Sequence, residues 1–301
     1  MDTLEPAAVT WTPTVGVARG EPGTGVRRWW RRFARNRGAV FGLAVFLTMV
    51  AMALFADGLA PYDPVAQGVG RALEGPSARH WAGTDGFGRD ILSRILHGAR
   101  IALVVGVVAV AAAMIVGVGL GLVAGYYGGW LDAVVMRVMD GLFAFPVILL
   151  AIATMTVLGF GVANVTVAVA VGLVAPFARV TRGDVLAVRE EPYVEAARLA
   201  GVRTPAIILR HILPNVVAPI IVQAALYVSG AIITEAGLSF LGLGPPPPTP
   251  VWGSMIAEGR NFIVMAPHVS TIPGLVLTVA VVGLNLLGDG LRDTLDPRLR
   301  R

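Results

Sequence analysis

Residues 101 to 125 contain no charged side chain, and the runs 39 to 56, 141 to 178 and 270 to 288 share that property. About 20 apolar residues in a helix cross the hydrocarbon core of a bilayer. Stretches of this length and number dictate a chain that lives in a membrane. Composition points the same way: 55% of residues are hydrophobic and 14% charged, whereas an ordinary soluble chain carries about 25% charged residues. The 38 residues from 141 to 178 would form a helix almost twice as long as a ~30 Å core is thick. They must fold back on themselves, and Gly159-Phe160-Gly161-Val162-Ala163-Asn164 supplies the turn. With a further span over Pro214 to Leu241, the expected fold class is all-α, a polytopic membrane protein with six transmembrane helices and both termini on one side.

Charge sets the orientation. The basic residues are 24 arginines and no lysine. Eighteen fall on the side of the termini and six (Arg71, Arg79, Arg89, Arg94, Arg100, Arg260) on the other, so the termini are expected in the cytoplasm. The Arg27-Arg28-Trp29-Trp30-Arg31-Arg32-Phe33 cluster abuts the first span, as a cytoplasmic anchor would. A cleaved signal peptide would have a shorter apolar core and a small-residue cleavage site. Arginines that flank spans orient a chain and do not argue for nucleic-acid binding. The absence of cysteine removes disulfides, thiolate metal sites and thiol nucleophiles. The scattered His80, His97, His211 and His268 do not rebuild a metal site.

Residues 1 to 26 lack apolar periodicity and read as a mobile tail. The polar stretch from Arg179 to His211 is more informative. Pro192 suits the first turn of a helix, with Glu190, Glu191 and Glu195 at its positive end and Gly201 as a stop. Thr204 and Pro205 open a second short helix, expected to run to about His211. Small residues Ala196, Ala197 and Ala200 would let this pair approach a groove on a soluble partner. A solvated helical loop satisfies the same pattern.

Glu195-Ala196-Ala197, then Gly201, then Leu213-Pro214 resembles the EAA loop of ABC import permeases. The wider chain, from about residue 27 to 301, resembles the C-type permease of dipeptide, oligopeptide and nickel importers. Its markers are Ala60-Pro61-Tyr62-Asp63-Pro64, Gly83-Thr84-Asp85 with Gly88-Arg89-Asp90, and Gly125-Tyr126-Tyr127-Gly128-Gly129. Thr234-Glu235-Ala236-Gly237-Leu238-Ser239-Phe240-Leu241-Gly242-Leu243-Gly244 and Asn285-Leu286-Leu287-Gly288-Asp289-Gly290-Leu291-Arg292-Asp293 complete them. His211 stands where the general EAA pattern has isoleucine, a departure familiar in the peptide and nickel branch.

The resemblance implies the type I importer fold. It divides the chain into a tail (1 to 37), a first helix with an external loop (38 to 97), a transmembrane domain (98 to 290) with its coupling loop at 179 to 213, and a C-terminal tail (291 to 301). It implies coupling to an ATPase through Tyr193, Glu195, Ala196, Ala197, Ala200, Gly201, Leu213 and Pro214. Implied partners are a B-type permease, two ATP-hydrolysing subunits and an external solute-binding protein, in a bacterial inner membrane. The implied substrates are di- or oligopeptides, with nickel chelates and other small solutes as alternatives. ATP and Mg would bind the partners, since this chain has no Gly-rich phosphate loop ending in Lys-Ser or Lys-Thr.

Polar residues inside spans tend to face an interior or a cavity. Arg137 and Asp140, three apart, are expected to pair on one helical face. Glu235 is a candidate for a gate, a contact with the partner permease, or a polar cap on the helix end. Gln223, Asn164 and Asn285 are weaker pathway candidates, and Met136, Met139 and Met155 read as packing. Asp85 to Asp90 lacks the alternating acidic positions of a calcium loop and reads as a turn and helix start. Gly117-Val118-Gly119-Leu120-Gly121, with no preceding strand, reads as close helix packing. An intramembrane enzyme would need a nucleophile and base, paired carboxylates or metal ligands at depth, and none is evident. A stand-alone channel would leave the EAA loop unexplained.

Overall fold

A computed structural model describes residues 30, 31 and 33 to 295. The expected tail over 1 to 26, the residues Arg27, Arg28, Trp29 and Arg32, and positions 296 to 301 lie outside the described residues. Among those described, the regular structure is helical, and Thr84 with Asp90 forms only an isolated bridge. The helices are α1 (Arg37–Leu59), α2 (Ile91–Tyr127), α3 (Gly129–Phe143), α4 (Val147–Leu158), α5 (Val162–Val188), α6 (Pro192–Leu199), α7 (Thr204–Ile207), α8 (Leu213–Phe240), α9 (Trp252–Arg260) and α10 (His268–Leu295). Among the described residues five runs are long and apolar enough to cross a membrane, and the count is six if α3 and α4, bent by 93° at their break, form one span.

Four boundaries differ from the sequence reading, two through local proline chemistry and two through ion pairs with residues distant in the chain. The second span begins at Ile91, ten residues before the uncharged run. Asp90 caps it by accepting from the Ser93 amide at 2.8 Å, the charges of Arg94 and Arg100 are met by Asp85, Glu258 and Asp57, and the His97 ring lies 3.0 Å from Asp57. The third span is broken at Ala144 to Pro146, because proline lacks the amide and crowds the residue before it out of the helical region. The fourth continues past Ala178 to Val188, its arginines answered by acids on α3. Arg182 makes a two-pronged bond to Asp132 at 2.5 and 2.6 Å, and Arg179 reaches Asp140 at 2.6 Å. Asp140 is therefore paired across helices and not with Arg137, which is exposed.

The fourth difference lies at the start of the fifth span. The short helix from Thr204 does not stop at His211. It widens into a π-turn over Ile208–Ile212 and merges with α8, giving one run from Thr204 to Phe240. A wide turn suits Pro214, which has no amide to donate back.

The core has two large parts and a small third one, in which Met139 of α3 packs with Ala175 and Ala178 of α5. Val105, Ala109, Ala113, Val165, Val169, Phe177 and Leu238 join α2, α5 and α8. Met49, Ile91, Ile95, Trp252, Met255 and Leu284 join α1, α9, α10 and the start of α2, and the Trp252 indole donates to the Ile95 carbonyl at 3.0 Å.

The α2–α5 contact depends on glycine. A Cβ on Gly117 would sit 2.6 Å from the Phe177 Cβ, one on Gly121 2.6 Å from the Ala178 oxygen, and one on Gly125 2.8 Å from the Val185 Cβ. Spaced four apart, the three form a stripe along which the backbones meet, as small residues do between membrane helices. Gly119, off the stripe, has nothing within 4 Å.

Candidate functional site

The loop between α5 and α8 starts where α5 leaves the core. Glu191 stands at the N-cap position of α6 in extended conformation without a side-chain capping bond, and Pro192 occupies the first turn. Glu195 lies in the first turn and Arg198 in the last, each at the favourable end of the helix dipole. The helix ends in a Schellman motif: Gly201 N–H donates to the Arg198 carbonyl at 3.0 Å, and Val202 N–H to Ala197 at 3.1 Å. That motif needs a left-handed residue, and Gly201 has φ +75°. A Cβ there would meet nothing within 4 Å.

The inner face of α6 is narrow. Val194 and Ala197 are buried in the main core beside Val185, Ile207 and Ile212. Ala197 is thus seated in this chain's own core, and of the small residues only Ala196 and Ala200 face outward. Tyr193, Glu195 and Gly201 are also exposed, Leu213 is half-buried and Pro214 exposed. Burial and the nearby Glu191 carboxylate push the Tyr193 hydroxyl above its ordinary pKa. Sequence reading missed Leu199, which is 83% exposed on the outward face. Its signal was an aliphatic residue three positions after Ala196 on an otherwise polar side.

Two arginines, also missed, fasten this loop to the end of α2. Arg189 donates from Nη1 to the Gly125 carbonyl at 2.8 Å, satisfying the end of α2. The Arg198 guanidinium lies 5.1 Å from the centre of the Tyr126 ring.

Each pathway candidate makes a hydrogen bond of its own. Asn164 donates to the Leu158 carbonyl at 2.8 Å and closes the end of α4. Gln223 donates to the Tyr227 hydroxyl at 2.9 Å. Glu235, 1% exposed, accepts from the Ser239 hydroxyl at 2.7 Å. Gln223 and Glu235 stand about 18 Å apart along α8. Asn285 accepts from Ser229 at 2.6 Å, joining α10 to α8.

On the opposite side of the fold, a buried charge cluster occupies the segment before α2. Asp85 accepts from the Phe87 and Arg89 amides at 2.8 and 3.0 Å and from Arg89 Nε at 2.6 Å. Arg89 also reaches Glu258 of α9 at 2.6 Å. His80 and Asp90 are buried together at 3.0 Å. These carboxylates are occupied by amides, arginines and a histidine. The segment is a locked turn and helix start.

Residues 117 to 301 match the family described as binding-protein-dependent transport system inner membrane component. The chain belongs to that family. Residues 26 to 76 of this permease match the N-terminal TM domain of oligopeptide transport permease C. It is 49% identical over 275 residues, 91% of each chain, to the glutathione transport system permease protein GsiD of Pectobacterium atrosepticum. It is 44% identical over 280 residues, 92% of each chain, to the dipeptide transport system permease protein DppC of Alkalihalophilus pseudofirmus. A chain of the MetNI methionine ABC transporter, solved in inward-facing conformations, superposes with a TM-score of 0.53 at 18% identity, covering 67% of this chain and 96% of that one. That likeness shows the fold, an ABC importer permease. The chain is a multi-pass inner-membrane transport permease subunit and not an enzyme.

Proposed function

We propose that this permease forms half of the translocation path of an ATP-driven importer of peptides, with short peptides such as dipeptides or glutathione as its substrate class. The observation that carries the substrate class is identity approaching one half, along nine-tenths of the chain, to a glutathione permease, with a dipeptide permease close behind. The other half of the path would come from a B-type permease, the solute from an external binding protein, and the work from two ATPase subunits that bind ATP and Mg. The outward face of α6, with Tyr193, Glu195, Ala196, Leu199 and Ala200, is the surface offered to an ATPase groove.

The test is reconstitution of the complex in proteoliposomes with its binding protein outside and ATP inside. Labelled glutathione and labelled dipeptides should accumulate only when all components are present. Accumulation without ATP, or of neither probe in an assembly whose ATPase the binding protein stimulates, would remove the peptide-importer reading.

In this reading the loop carrying α6 is cytoplasmic and residues 60 to 90 are external, following the arginine asymmetry. The chain has no cysteine, so a cysteine at Ser77 reports its side alone. An impermeant maleimide should label it in intact cells. Labelling only after the inner face is opened would invert the topology.

A further inference from the structure

We propose that Arg198 and Tyr126 form a clasp that makes α2 a direct receiver of α6 movement, so that nucleotide-driven displacement of α6 reaches the external end of the protein along a single helix. This rests on the reading of α6 as the ATPase-facing element.

The mechanical problem is that α6 has only eight residues and a narrow hold on the core. Val194 and Ala197 lie three apart on one face, so their contacts form a short seam parallel to the helix axis. A seam fixes distance, but it permits rolling about its own line. Arg198 follows Val194 by four residues and therefore leaves the helix on the other flank of that seam. With its guanidinium 5.1 Å from the Tyr126 ring centre, it gives α6 a second point of attachment off the axis. That arrangement resists rolling.

The choice of partner is informative. Glu190, Glu191 and Glu195 lie nearby in sequence, yet among the described residues Arg198 has no carboxylate partner, and its cation sits over the ring. A ring face holds a guanidinium over a broad area, without the fixed geometry of a two-pronged carboxylate bond.

Tyr126 is the penultimate residue of α2, which is 37 residues long. At its other end Asp90 caps the helix, and Arg94 lies 3.7 Å from both Asp85 and Glu258. The same helix thus holds α6 at one end and the buried external charge cluster at the other. Arg189 on the Gly125 carbonyl ties the start of the α6 loop to the same terminus.

The test uses the whole complex carrying spin labels on cysteines placed at Trp81 and Phe160, which are 75% and 62% exposed on the external side. Double electron–electron resonance is read with and without ATP, Mg and vanadate. The unmodified clasp should give a nucleotide-dependent change in the label distance. Arg198→Gln and Tyr126→Leu should each reduce the displaced population about fivefold, equivalent to about 1 kcal/mol. Arg198→Lys, which keeps a cation, and Tyr126→Phe, which keeps the ring, should retain most of it. Full displacement in Arg198→Gln in an assembled complex, or no displacement with the clasp intact, would overturn the proposal. Failure of the chain to co-purify with any ATPase would instead remove the importer reading, and the clasp would fall with it.

Discussion

Replacing Gly121 with leucine is expected to abolish assembly of the permease, while the same change at Gly119 leaves it intact. A Cβ at Gly121 would lie 2.6 Å from the Ala178 oxygen, 2.7 Å from the Thr181 Cβ and 3.1 Å from the Arg182 amide. Two of those are backbone atoms of a facing helix, which cannot turn aside as a flexible side chain can. Overpacking of this sort costs typically about 1–3 kcal/mol, sometimes more. The consequence spreads, because the same interface aligns Arg182 with Asp132 and Arg189 with the Gly125 carbonyl. Gly119 is two positions away and faces open space. The check is the yield and melting temperature of the complex after size-exclusion chromatography. A Gly121→Leu complex with unchanged melting would show that α2 and α5 do not depend on this close approach.

Gly201→Leu should leave the assembled membrane core intact and reduce coupled uptake about 5–30-fold. Nothing lies within 4 Å of a Cβ at that position, so the cost is conformational and not a clash. A left-handed L-residue costs roughly 1–2 kcal/mol, which shifts the seating of α6 by a factor of about 5–30. Because strain alone acts, alanine should be about as harmful as leucine. Asparagine, which enters this conformation more readily, should be milder. Uptake and ATPase stimulation by loaded binding protein are the measurements. A clear gap between alanine and leucine would mean that side-chain bulk matters and that a partner surface already lies close to Gly201.

Much of the fold could be read because membrane burial imposes one simple rule per span. The turn at Gly159 to Asn164, the helix start at Asp90 and the glycine packing of α2 all follow from local chemistry. The left-handed stop at Gly201 was legible for the same reason, since a proline start and a glycine end frame a short helix with acidic and basic residues at matching ends. What escaped was every feature set by a distant partner. Arg179 and Arg182 looked like the end of a span, because nothing near them in sequence reveals Asp132 and Asp140. Arg94, His97 and Arg100 similarly hid the first turns of α2. Arg137 and Asp140 have the right spacing to pair, yet Arg179 reaches Asp140 from another helix. Glu235, Gln223 and Asn164 stand out as polar residues in apolar surroundings, and that pattern marks hydrogen bonds within and between helix ends as readily as a pathway. Leu199 escapes a reading of α6 that looks only to its small residues.

The central claim is that α6 is where an ATPase subunit grips this permease, and Leu199 offers the most direct probe of it. In the cysteine-free chain, Leu199→Cys can be labelled with a benzophenone maleimide, with Phe160→Cys as the control on the opposite side. After irradiation of the assembled complex, the label at Leu199 should join the permease covalently to an ATPase subunit, in a yield that changes when ATP and Mg are added, and the label at Phe160 should not. An intact complex in which Leu199 gives no ATPase adduct would contradict the account.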